Sequence, residues 1–334
     1  MIVLWFALLA ASLWGAHWGA EQVANVLKKL RAQLRISALA GGALVGLAAA
    51  APEFGINLVS AIQGIGDIGL GVAFGTNVIA IPIMLLTAYV ATRKERLPDH
   101  EGHAAHREKR VIAVSREAIV VQAIPYTLVV ILVGVLTLPP AWQGLQPIDA
   151  ALLVAAYLAY LANAALRNRP NQEEVRWEGK EALLAVGGVV ALGVSTYLAV
   201  TATERIVEAL GIPLIVGGLL ITAPVAALPE VFATWKVCRR GEIDAGITST
   251  LGDNAVTMTL ALVPPALVGL SLQNVTLTAL SVAFAILMPA TYAACIWRTE
   301  RAIGIAGFRR GQLAVFTVLL VLYLTLALTI GLRG

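Results

Sequence analysis

The chain is poor in the residues on which most soluble enzymes depend. Only 13% of its 334 residues are charged, about half the share of a typical globular domain, so a water-facing surface all round is excluded. It has two cysteines and four histidines. Cys238 and Cys295 have no metal-ligand spacing and read as free, reduced thiols rather than a disulfide framework. An intramembrane zinc protease needs His-Glu-x-x-His, yet His17 is the one histidine in an apolar segment. The stretch Leu251-Gly252-Asp253 approaches the Gly-x-Gly-Asp of an aspartyl protease, but Thr250 stands where the first glycine belongs. These absences argue against an enzyme.

What the chain does have is apolar length, with 59% hydrophobic residues. Runs of about 20 residues, enough for a helix to cross a bilayer, recur at 2–23, 36–63, 67–91, 112–138, 147–167, 181–203, 212–237, 244–268, 274–297 and 310–332. The first lacks the basic start of a signal peptide and reads as a span. The 24 Lys and Arg test the count of ten. Twenty-two of them fall at 28–35, 93–116, 167–180, 236–240 and 298–310, on one side of such a bundle, leaving Arg205 and Arg333 for the other. By the positive-inside bias the first side is cytoplasmic and both termini lie outside the cytoplasm. The net charge of +4 is therefore an orientation signal and implies no nucleic-acid partner.

Pro52-Glu53 recurs as Pro229-Glu230, and at the same offset of 177 Gly64, Asp67, Gly69, Gly75 and Asn77 match Gly241, Asp244, Gly246, Gly252 and Asn254 without a gap. Five spans separate the copies, so the second enters the membrane from the opposite side. The expected fold is all-α, about ten transmembrane helices arranged as two inverted five-helix repeats. Such repeats are characteristic of secondary transporters, whose site lies near the midplane where broken helices meet. Proline has no N–H, so Pro52 leaves the carbonyl of Ala48 without its helical donor and Pro229 does the same to Val225. Two loose carbonyls one turn from two carboxylates form an oxygen cluster suited to a hard cation.

At these residues the sequence resembles the cation/calcium exchanger superfamily, the sodium/calcium and proton/calcium antiporters, whose repeats carry G-T-S-x-P-E and then G-N-x-x-G-S-N. The resemblance covers nearly the whole chain. It implies that Glu53 and Glu230 are the central ion ligands. Thr76, Asp253, Thr257 and the freed carbonyls of Ala48 and Val225 are further candidate oxygens, Asp253 alternatively capping a kink or bonding Asn77, while Asn77 and Asn254 read as packing residues beside the site rather than ligands. The hydroxyls of G-T-S are missing, replaced by Ala48-Ala49-Ala50 and Val225-Ala226-Ala227. Thr76 keeps a hydroxyl at the Ser position of the second motif, its counterpart is Asp253, and the polar position four residues further on is Ala80 or Thr257. Three ionised carboxylates against one divalent ion leave a net charge of −1 in a dry site, so one is expected to keep its proton. Proton coupling follows as a candidate.

The expected organisation is 1–110 for the first three helices, with a repeat motif at 36–91 and a cytoplasmic loop at 92–111. Helices four and five follow at 112–167, a cytoplasmic linker at 168–180, and the second half at 181–334 with its motif at 212–268. The expected function is exchange of Ca2+ for Na+ or H+ across a prokaryotic cell membrane, with no cofactor beyond the transported cations and no partner beyond lipid. Another cation, Mg2+ or Na+, and a scaffold without transport remain as alternatives. Asp67 and Asp244 read as helix caps, Gly41-Gly42 and Gly217-Gly218 as close-packing faces, and His100, His103 and His106 as part of a solvated loop rather than a metal site.

Overall fold

The computed structural model describes residues 1–33, 47–93, 97, 106, 108–116, 118–165 and 179–333. Its helices, in chain order, are α1 (Ile2–Gln33), α2 (Ala51–Ile62), α3 (Gly66–Thr92), α4 (Ile124–Thr137), α5 (Pro147–Ala165), α6 (Gly179–Leu210), α7 (Leu214–Gly217), α8 (Ala223–Ala226), α9 (Leu228–Arg239), α10 (Ile243–Thr257), α11 (Val263–Leu267), α12 (Val275–Ile303) and α13 (Arg310–Gly331). Among the described residues six segments are long and apolar enough to cross a membrane: Ile2–Leu27, Gly66–Thr92, Leu183–Leu210, Leu214–Arg239, Val275–Ile303 and Arg310–Gly331. Two shorter apolar helices join them, Ile124–Thr137 and Pro147–Asn163.

The centre of the molecule is α3, buried without interruption from Gly66 to Pro82. An all-round apolar helix belongs in a core, and α2, α9, α10, α12 and the π-helical turn Gly218–Thr222 all pack against it. In lipid, burial of apolar surface does not drive helices together, and close backbone approach takes its place. A Cβ added to Gly71 would collide with the carbonyl oxygen of Ile215, and one added to Gly218 with that of Ile68. The expected role of Gly217-Gly218 therefore holds, while Gly41-Gly42 lies outside the described residues.

The repeat is visible in the backbone. Shifted by 177, the bounds of α2 become those of α9, the start of α3 becomes that of α10, and Gly64 (φ +74°) becomes Gly241 (φ +92°). A non-helical turn residue precedes each Pro-Glu pair, Ala50 in one copy and Ala227 in the other. Two elements depart from expectation. The span placed at 244–268 is broken: α10 stops at Thr257, Thr259 takes φ −121° and ψ −81°, and a 3-10 turn leads into α11. Pro264 and Pro265 explain this, since neither can donate to the preceding turn. The span placed at 112–138 starts late, because Val111–Ala113 (β1) pairs antiparallel with Gly307–Arg309 (β2) and helical structure begins at Ala118. Ile112 and Phe308 face each other there, fully buried.

Asp67 and Asp244 are not caps, because the N-cap positions Ile65 and Glu242 carry no side-chain capping bond. Asp67 instead lies beside the backbone N–H of Gln273, and Asp244 Oδ1 accepts a hydrogen bond from Ser115 N–H at 2.9 Å. Each aspartate thus stands against the loop that enters a helix of the other half. His106 also departs from expectation. It is buried, with Nδ1 2.7 Å from Thr92 Oγ1 and its ring 5.1 Å from that of Tyr89. His100 and His103 lie outside the described residues. Cys238 and Cys295 are free and buried.

Two outcomes are expected from this packing. Gly71→Ala forces the helix crossing apart and lowers stability by about 1–3 kcal/mol, the usual cost of overpacking, whereas Gly187→Ala, where an added Cβ meets nothing within 4 Å, does not; thermal unfolding in detergent compares the two. Asp244→Ala leaves the Ser115 N–H without its acceptor and lowers stability by about 0.5–1.5 kcal/mol, read in the same assay.

Candidate functional site

Pro52 and Pro229 set the local geometry. Each follows a turn residue and occupies the first turn of the helix that restarts after it, where a missing N–H is tolerated. The carbonyls of Ala48 and Val225 receive no helical bond from them, and Ala48 is buried. Glu53 and Glu230 come one residue later, in first turns where unpaired backbone N–H groups favour negative charge. Two helix breaks therefore place two carboxyl groups in the first turns of the restarted helices, and α3 and α10 pack against one another beside them.

Glu53 is 2% exposed and Asp253, on α10, is 9% exposed, while Glu230 is partly buried by surface area. Three of the predicted site residues come together here. The side chains of Glu230 and Asp253 are neighbours, and Glu53 lies within electrostatic reach of both. Two ionised carboxylates possess only acceptors, so a hydrogen bond between such neighbours forms when one of them holds a proton. Among the described residues no three His, Cys, Asp or Glu side chains converge on one metal position. Glu53 Oε2 and Asp253 Oδ1 are buried with no hydrogen-bond partner among the described residues. Each such oxygen costs about 1–3 kcal/mol, and water, a proton or a cation would relieve it.

The other predicted residues divide. Thr76 Oγ1 donates back to the carbonyls of Val72 at 3.0 Å and Ala73 at 3.3 Å, and Thr257 Oγ1 to that of Asp253 at 3.2 Å. Their donors are spent, and their lone pairs stay available. Asn77 is committed at both ends of its amide: Nδ2 donates to Ala73 O at 2.7 Å and Oδ1 accepts from the Tyr126 hydroxyl at 2.8 Å. Asn254 Nδ2 faces the backbone carbonyl of Asn77 at 3.4 Å. These two asparagines are repeat mates, so the two halves touch each other at equivalent residues.

Sequence reasoning missed Tyr126, Asn57 and Ser60. Tyr126 is fully buried and hydrogen-bonds to Asn77, with Asn254 beside it, and no motif marks it. Asn57 stands one helical turn beyond Glu53 and Ser60 one turn beyond that, both wholly buried. The i, i+4, i+7 spacing from Glu53 is the signal that would have found them.

The family model of the sodium/calcium exchanger protein matches residues 4–166 and 180–330, nearly the whole chain. Solved structures of the sodium-calcium exchanger NCX_Mj resemble it over 97% of this chain and 99% of theirs; the form soaked with 2.5 mM Na+ and 10 mM Sr2+ is 17% identical with a TM-score of 0.60, and the one with 2.5 mM Na+ and 0.1 mM Ca2+ is 18% identical with a TM-score of 0.59. The H+/Ca2+ exchanger CAX is 15% identical, covering 98% of this chain and 86% of its own, with a TM-score of 0.63. No curated protein matches in sequence. At these identities the structural likeness speaks for the fold, and the family model, matched in both halves, speaks for the lineage: this integral membrane protein belongs to the sodium/calcium exchanger family.

Proposed function

We propose that the protein is a secondary-active antiporter that exchanges Ca2+, or another divalent cation, for H+ by alternating access. The cation binds between Glu53 and Glu230 with Asp253, the Thr76 and Thr257 hydroxyls and the carbonyls of Ala48 and Val225 as further oxygens. The two halves act as inverted repeats of five spans each, and the proline-broken helices shift against α3 and α10 to open the site to one side and then the other. The observation that carries this reading is the meeting of Glu53, Glu230 and Asp253, with Glu53 Oε2 and Asp253 Oδ1 buried and without a hydrogen-bond partner among the described residues. Such a cluster takes up either protons or a divalent cation, which is what a competitive exchanger requires.

Charge balance favours H+ over Na+ as the counter-ion. A site of three carboxyls in a low-dielectric interior is costly unless nearly neutral. Three protons make it neutral when empty of cation, and one proton with one divalent ion also makes it neutral. Exchange of two protons per divalent cation conserves that neutrality. The absence of the G-T-S hydroxyls favours the same choice, because it removes neutral oxygens that help hold a monovalent ion.

Proteoliposomes separate these possibilities. Radiolabelled Ca2+ uptake is expected under an outward proton gradient and not under an outward Na+ gradient, and Glu53→Gln is expected to slow it at least about tenfold, equivalent to about 1.4 kcal/mol. Uptake driven by Na+ alone would overturn the choice of counter-ion, and no uptake of any divalent cation by folded protein would overturn the function. Since protons compete for the ligand oxygens, raising the pH should tighten cation binding with about two protons released per ion. Calorimetry in buffers of different ionisation enthalpy counts them.

A further inference from the structure

The two copies of the helix crossing beyond the carboxylates have the same backbone and opposite chemistry. On α2, Glu53, Asn57 and Ser60 fall on one face at i, i+4 and i+7. The Asn57 amide is oriented by its own bond, Nδ2 donating to the Glu53 carbonyl at 3.0 Å, so Oδ1 points away from that carbonyl and has no partner among the described residues. Ser60 Oγ donates to the Asn57 carbonyl at 3.2 Å and keeps its lone pairs. Gly69 of α3 lies over this face, close enough that an added Cβ would collide with Ser60 Oγ and stand 2.8 Å from Asn57 Oδ1. Beyond Ser60 the chain surfaces at once, at Gln63 and Gly64.

In the second copy the equivalents of Asn57, Ser60 and Gly69 are Thr234, Val237 and Gly246. The Thr234 hydroxyl is engaged, 3.1 Å from Met84 Sδ and 3.5 Å from Gly246 O. Gly246 faces Cys238 Sγ and Val237 Cγ1. A line of buried oxygens with unmet acceptors therefore runs from a site carboxyl to the surface in the first half, and sulfur and hydrocarbon fill the same place in the second.

Resting on the reading of Glu53 as an ion-binding carboxyl, we propose that Asn57 and Ser60 form a one-sided proton path that connects Glu53 with the turn at residues 63–65. Gly69 packs directly on both oxygens and leaves no passage for a hydrated cation, and orphan acceptor oxygens suit single water molecules once α2 shifts against α3 as the proposed exchange requires. A proton entering at the turn passes along water held by Ser60 Oγ and Asn57 Oδ1 and ends on Oε2 of Glu53; only O–H bonds form and break. The ionisable groups facing Glu53 are Asp253 of α10 and Glu230 of α9, and from α6 the neighbour is Thr196, against Gly55. Asn57 and Ser60 are positioning residues: they hold the water and carry no charge.

The test separates proton movement from cation movement. In proteoliposomes, Asn57→Leu is expected to slow proton-driven uptake of radiolabelled Ca2+ about tenfold while leaving Ca2+/Ca2+ self-exchange at equal pH within about twofold, a split that simple misfolding would not produce. Asn57→Ser, which keeps an oxygen and leaves room for water, should restore the proton-driven rate. Equal loss of both fluxes, or no loss of either, would overturn the path. If Asn57→Leu does not fold, Ser60→Ala carries the same comparison. Should a proton gradient drive no uptake in the unmodified protein, the functional reading falls instead. The path is then decided by infrared measurement of Glu53 carboxyl deuteration, which slows in Asn57→Leu if the path exists and is unchanged if it does not.

Discussion

Carboxyl groups held away from water by helices that proline has interrupted are the constraint on which the rest of this molecule depends. Glu53 and Asp253 are buried, and the carbonyls of Ala48 and Val225 have no helical donor. In a bilayer interior neither kind of oxygen can turn to bulk solvent. Each must meet a proton, a water, a cation or another protein group. Much else follows from that: a central helix, α3, buried over most of its length, and glycines at 71 and 218 that let backbones touch. Each half also sets an aspartate against the other half's loop.

The paired aspartates illustrate how two repeats become one body. Asp67 opens α3 beside the loop before α12; Asp244 opens α10 and holds the segment before the helix that runs to Thr137 by a hydrogen bond. Together with the contact between Asn254 and Asn77, these contacts join equivalent points of the two copies. The proposed shift of the broken helices requires a frame that does not move, and contacts of this kind between α3, α10 and the opposite loops would supply one.

Much of this was legible in the sequence, for a physical reason. Proline, glutamate and glycine are held to narrow roles inside a membrane, so Pro52, Glu53, Gly64 and Gly69 reappear at one offset as Pro229, Glu230, Gly241 and Gly246, and the helix bounds repeat with them. What was not legible depended on partners distant in sequence. Capping and loop-holding place an aspartate at the same helix position, and only the fold reveals that Asp67 meets Gln273. Residues 111–113 are apolar enough for a helix, and their pairing with residues 307–309 is what makes them a strand. Asn57 looked unremarkable because an amide in a helix is ordinary; its significance lies in an oxygen left without a donor.

The differences between the copies carry as much meaning as the likeness. If the two repeats were chemically identical, exchanging their conformations would turn the outward-open form into an inward-open form of equal energy, and each side would meet the same site. Here Thr76 corresponds to Asp253, Asn57 and Ser60 correspond to Thr234 and Val237, and a helix that continues through Pro82 is matched by one that breaks near Thr259. Oxygen ligands and buried polar groups are therefore distributed unequally about the site. Under the proposed exchange, an ion or proton arriving from one side would meet groups that it does not meet from the other, so the two orientations would differ in free energy even with the same cargo. A direction-dependent affinity would then arise from side chains alone, on a backbone that stays nearly symmetric through the paired motifs.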